Sequence, residues 1–228
     1  MIVAEQKPFE EIKAKLEKAN RVLLVGCGTC VTVCFAGGEK EVGILASSLR
    51  MATKIDGNAK EIDEAMVQRQ CEWEYLDTLK DKIDDYDLIL SLGCGIGVQA
   101  IAEHFPKARV VPGLNTSFLG LPTEQGVWAE RCAACGNCIL DLTGGICPIA
   151  RCSKSLLNGP CGGSDGGKCE VSSKERPVDC AWDMIVRKLM ERGELERLLE
   201  INTAKNWQTS RDGGPRRIAR EDLMLAKE

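Results

Sequence analysis

The stretch Arg21-Val22-Leu23-Leu24-Val25-Gly26-Cys27-Gly28-Thr29-Cys30 decides the fold. Its apolar run does not alternate and stops at a glycine, the pattern of a parallel strand buried on both faces. The turn that follows carries two cysteines, with Thr29 placed to cap a helix. Upstream, residues 10–19 read as a charged amphipathic helix. Downstream, residues 38–54 read helical, with Val42, Leu45, Ala46 and Leu49 on one side. Residues 66–70 suggest a brief second strand, 73–83 a helix, 87–93 a third strand, 97–105 a helix and 108–112 a fourth strand. This alternation predicts an α/β fold with a small doubly wound parallel sheet, followed by a domain of another kind.

Sheets of this type offer binding positions outside the carboxyl ends of their strands. Cys27, Cys71 and Cys94 each fall just past an expected strand, and Cys30 and Cys34 follow in the first turn and helix. If the strands are neighbours, five thiols converge on one sheet edge, more than packing requires. Five thiols for a four-ligand site leave one over. Cys34 is the one that a plain core position on a helix would explain.

The second half changes character. Between residues 94 and 132 a gap without cysteine holds Pro112, Gly113, Gly120, Pro122 and Gly126, and reads as a domain boundary. Beyond it come eight more cysteines, at 132, 135, 138, 147, 152, 161, 169 and 180, among many glycines and little apolar periodicity. Such a stretch buries too little apolar area to hold itself and calls for a metal staple. After Pro177 the spacing of Trp182, Ile185, Val186, Leu189, Leu195, Leu198 and Leu199 turns helical, with Gly193 as an interruption. From Asn202 the chain is polar, and its Arg211, Arg216, Arg217 and Arg220 suit a solvated tail or an acidic partner. The expected division is residues 1–120, 121–201 and 202–228.

Composition narrows the function. Of 228 residues, 44% are apolar and 28% charged, with net charge -4, so nucleic acid and anionic membrane are poor partners. Aromatics at 4% argue against a stacking platform for single strands. The one histidine, His104, excludes imidazole-rich metal sites and reads as a surface or capping residue. Gly93-Cys94-Gly95-Ile96-Gly97 lacks the spacing and the acidic partner of a dinucleotide loop. Cys27 has no nearby histidine to activate it as a nucleophile. No apolar stretch approaches the about 18 residues of a membrane span. Residues 1–8 lack the basic start and apolar core of a secretory leader. A cytoplasmic, reducing setting is therefore expected, where thirteen thiols serve as ligands rather than disulfides.

Cys132-x2-Cys135-x2-Cys138, then Cys147-Pro148, resembles the bacterial ferredoxin run, although the last spacing is eight residues and not three. Cys152, Cys161, Cys169 and Cys180 could hold a second centre. Zinc competes, since four-cysteine zinc sites use paired C-x2-C motifs, and here few ligands are so paired.

Two stretches carry a family resemblance. Gly26-Cys27-Gly28-Thr29-Cys30-Val31-Thr32-Val33-Cys34-Phe35-Ala36-Gly37-Gly38-Glu39 resembles the N-terminal signature of the MetV-type iron–sulfur (zinc) small subunit of bacterial methylenetetrahydrofolate reductases. Cys135-Gly136-Asn137-Cys138, Thr143-Gly144-Gly145-Ile146-Cys147-Pro148 and Lys154-Ser155-Leu156-Leu157-Asn158-Gly159-Pro160-Cys161-Gly162-Gly163 are similar to that family's cysteine-rich domain. The resemblance implies two or more [4Fe-4S] clusters, with or without one zinc, held by the thirteen cysteines, and no flavin. It implies a TIM-barrel partner that holds FMN and folate, an electron donor such as ferredoxin or a larger redox complex, and a place in acetogenic one-carbon metabolism. This chain is too short for a barrel of about 250 residues besides a metal domain. The family would thus make it an electron relay without a catalytic site; a structural zinc scaffold is the alternative.

Overall fold

The computed structural model describes residues 1–220, 222 and 224; positions 221, 223 and 225–228 of the expected tail lie outside the described residues. It forms two compact units, Met1–Ala129 and Glu130–Glu228.

In the first unit the chain runs β1 (Ile2–Gln6), α1 (Phe9–Lys15), β2 (Arg21–Cys27), α2 (Cys30–Val33), α3 (Glu39–Ile55), β3 (Glu61–Val67), α4 (Trp73–Leu76), β4 (Leu88–Ser91), α5 (Gly95–His104), β5 (Val110–Pro112), β6 (Leu114–Glu124) and the start of β7 (Val127–Cys132). Strands β3-β2-β4-β5 form a parallel sheet in that order, with Val22 opposite both Ile62 and Leu88. Successive strand residues face opposite sides. Val22, Leu24, Leu88 and Leu90 pack with Val42, Leu45 and Leu49 of α3. Leu23, Val25 and Ile89 pack with Leu76, Leu79, Ile83 and Ile101 on the other side. The sheet is covered on both faces, which makes it the doubly wound α/β fold expected. Each fully buried side chain of this kind contributes about 1.5–3 kcal/mol.

Two local expectations are corrected. The second strand is Glu61–Val67, not 66–70. It is an edge strand, so its exposed Glu61, Glu64 and Met66 broke the apolar signal. The helix expected over 73–83 is one turn of α4 and two separate 3-10 turns, Asp77–Leu79 and Ile83–Asp85. The stretch read as a boundary does contain the division, between Ala129 and Glu130, and it also holds β6 and most of β7, in a sheet of order β1-β6-β7 with β1 antiparallel to β6. Pro122 is tolerated in the middle strand because pairing on the β1 side runs only as far as Gly120 with Met1.

The second unit has little regular structure. After β7 it holds α6 (Pro148–Arg151), α7 (Ala181–Arg192) and short 3-10 turns. Cys180, Trp182, Ile185 and Leu189 form its buried cluster, against Ile146, Cys152, Leu156 and Leu198. Trp182 Nε1 donates to the Leu156 carbonyl at 3.1 Å. Gly193 ends α7 with φ 68°, the left-handed cap that glycine adopts freely. Among the described residues no helix is long and apolar enough to cross a membrane.

Candidate thiol sites

All thirteen cysteines are free thiols. In the first unit β2, β3 and β4 are adjacent and parallel, so the segments leaving their carboxyl ends carry Cys27, Cys71 and Cys94 to one sheet edge. Cys27 pairs in register with Val67 at that edge and its backbone N–H donates to the Gly37 carbonyl at 3.0 Å. Cys30 opens α2, and Cys94 precedes α5 as its cap residue. Burial first, then the neighbouring Cys27 and Cys94 sulfurs, push the Cys71 thiol up. The three sulfurs therefore share one neighbourhood.

Cys34 stands apart. Its Sγ lies 3.4 Å from the Ile2 carbonyl, the distance of a thiol hydrogen bond to β1. Burial pushes this thiol up, and the Ala4 backbone offsets that only in part. A neutral, hydrogen-bonded thiol in the core is the state these contacts favour.

In the second unit Cys152, Cys161, Cys169 and Cys180 line one cavity of about 20 Å³, together with Ala181 and Trp182. That is room for roughly one water-sized sphere. The sulfurs here receive N–H donors. Gly163 N donates to Cys161 Sγ at 3.4 Å, and the Ser153 hydroxyl lies 3.6 Å from Cys169 Sγ. The Val171 backbone first, then Ser153, hold the Cys169 thiol below its ordinary value. Lys154 sits beside Cys161 in an ion pair with Glu170 at 2.6 Å. Thiolates stabilised this way are what a thiophilic metal or cluster needs.

The Cys132–Cys138 turn shows the same feature: Ala134 N donates to Cys132 Sγ at 3.3 Å. Ala134, at φ 51°, holds the left-handed conformation that non-glycine residues rarely adopt. The tail lies on this turn. Thr209 Oγ1 donates to the Cys135 carbonyl at 2.9 Å and Arg216 Nη1 to the Ala134 carbonyl at 2.7 Å. Cys147 caps α6, beside the Arg151 guanidinium, which burial and then Arg131 hold below its ordinary value.

The donor sets are thus chemically apt for iron–sulfur or zinc. Among the described residues, however, no three Cys, His, Asp or Glu side chains point at a common metal position. His104 pairs with Asp77 at 2.9 Å and stacks beside Trp73 and Phe105. Sequence reasoning missed Gln70, Ser91 and Thr209, which hold the thiol-bearing turns, since polar residues outside any motif gave no signal; Arg216, read as part of a solvated or partner-docking tail, holds the Ala134 carbonyl instead.

Fold and thiols together define a two-unit α/β protein whose second unit is cysteine-rich. Residues 111–208 match the family model described as methylene-tetrahydrofolate reductase C terminal. The matched stretch contains all eight late cysteines and none of the early five. No curated protein and no solved structure matches the chain.

Proposed function

We propose that the chain is the electron-relaying iron–sulfur subunit of a methylenetetrahydrofolate reductase complex, serving an FMN held by a separate folate-binding TIM-barrel subunit. The observation that carries this reading is the gathering of Cys152, Cys161, Cys169 and Cys180 around one cavity within the stretch that matches the reductase C-terminal model. Clusters held by such thiolates take up and release single electrons. The chain's own residues bind through sulfur, and N–H groups such as those of Ala134 and Gly163 stabilise the thiolate charge. Trp182 and Ala181 give the late cavity an apolar side, and Lys154, Ser164 and Glu170 line it too. The lone histidine, His104, is engaged with Asp77. The electron donor would be ferredoxin or a larger redox complex, and the setting cytoplasmic.

The small size of the late cavity favours a second reading for that site alone, a structural zinc bound by four thiolates. Metal and sulfide analysis of the anaerobically purified chain, with EPR of the reduced form, tests both. The relay predicts several iron and sulfide per chain and a dithionite-bleached absorbance. A colourless, iron-free chain that still supports turnover by the barrel subunit would end it. Zinc with no redox-dependent signal would establish the scaffold instead.

A further inference from the structure

Gln70 has no exposed surface, yet it carries a full amide. Its Nε2 donates to the carbonyls of Val25 at 3.0 Å and Gly26 at 2.9 Å. Its Oε1 accepts from Ser91 Oγ at 2.7 Å, and Ser91 Oγ in turn accepts from Gly93 N at 3.0 Å. Each end of this buried chain abuts a cysteine. Gly26 precedes Cys27, Gln70 precedes Cys71, and Gly93 precedes Cys94. The surroundings are shaped for the amide. A Cβ on Gly93 would collide with Gln70 Oε1, and one on Gly97 would stand 2.8 Å from Gln70 Cβ. A leucine would fill the same volume, so packing alone does not call for glutamine here. A buried amide is favoured only where both of its ends find partners, and the partners found are the carboxyl ends of β2 and β4.

We infer that Gln70, with Ser91, is the positioning residue of the early thiol site, tying the turns of Cys27, Cys71 and Cys94 into one register before any metal arrives. In its metal-holding form the inference rests on the iron–sulfur reading above; the convergence of the three thiols does not. Without the amide, the Gly26 carbonyl loses its side-chain donor, the Val25 carbonyl keeps only the Leu92 N–H and the Ser91 hydroxyl loses its acceptor, so the side-chain tie between the three turns is gone. Each lost hydrogen bond corresponds to about a twofold to tenfold change in the population of the converged arrangement.

The test uses the full chain in wild-type, Gln70→Leu and Ser91→Ala forms, with Ile12→Ala as a core control outside the Gln70 hydrogen-bond chain. In metal-free protein, a short bis-alkylating reagent traps thiol pairs, counted by mass spectrometry. Gln70→Leu should cut the Cys27–Cys71 and Cys71–Cys94 pairs about tenfold, and Ser91→Ala chiefly the pair that includes Cys94. In anaerobically loaded protein, Gln70→Leu should lose the early share of iron and its EPR signal. Ser91→Ala should retain iron but shift the g-values. Unchanged pair yields in both variants, or equal losses in Ile12→Ala at matched stability, would overturn the inference. Absence of iron at these thiols in the wild type would overturn the cluster reading while the trapping result still decides the role of Gln70. If Gln70→Leu fails to fold, Ser91→Ala decides alone.

Discussion

At the scale of one residue, Asp87 shows how a surface carboxylate can hold a sheet. Its Oδ2 accepts the backbone N–H groups of Asn20 at 2.8 Å and Arg21 at 2.9 Å, so it locks the start of β2 to the start of β4. The Arg21 N–H first, then that of Asn20, hold its carboxyl below the ordinary carboxylate range. A depressed folded value means that the stabilisation is present above the unfolded value and is lost as pH falls through the folded one. Asp87→Asn keeps an acceptor but removes the charge. Thermal melting of the variant should therefore lie below that of wild type at neutral pH, with the gap closing as pH falls below the carboxylate range. A gap that is constant with pH would show that the charge contributes nothing.

At the scale of elements, the turn between α2 and α3 is set by contact, not by propensity. Gly37 passes so close to β4 that a Cβ would collide with the Leu92 carbonyl oxygen. Its own carbonyl accepts the Cys27 N–H, and α3 begins at once, with Gly38 N donating to Glu41 at 3.1 Å. Gly37→Ala should cost about 1–3 kcal/mol through overpacking, read as a lowered denaturation midpoint with an unchanged slope. A loss under about 0.5 kcal/mol would mean that the turn yields freely. This also shows where the sequence was legible. The centre of β2 and β4, the apolar side of α3 and the glycine stop of α7 were open to reading because burial on both faces or on one stripe leaves an unbroken pattern. β3 was displaced because its edge position admits charged residues. β1, β6 and β7 were missed because their sheet is half exposed and interrupted by Gly120 and Pro122, residues that locally read as turns. Cys27 and Cys94 lie at strand ends as read, whereas Cys71 lies on the segment after β3, which ends at Val67 and not at residue 70 as expected; the amide before it, Gln70, was not legible, since its role exists only once β2 and β4 lie side by side.

At the scale of the molecule, the two units are stabilised by different means. Met1–Ala129 has apolar clusters on both faces of a sheet. Glu130–Glu228 has Trp182, Ile185 and Leu189 at the centre of its small cluster, and glycines with positive φ at 136, 144, 145, 159, 162, 166 and 167. So few buried side chains cannot offset the conformational entropy of a loop-rich segment. Two of the four thiols at the late cavity, Cys152 and Cys180, also contact that cluster. A metal bound there would couple directly to the packing of α7. Binding to the folded form alone adds about 4 kcal/mol when free metal is a thousandfold above its dissociation constant. Removing metal anaerobically with a chelator should therefore collapse amide-exchange protection in α7, while β2 and β4 keep theirs. Restoring iron and sulfide, or zinc, should return it. If α7 amides stay as protected without metal as with it, the second unit is held by its apolar cluster alone, and its cysteines have no part in folding it.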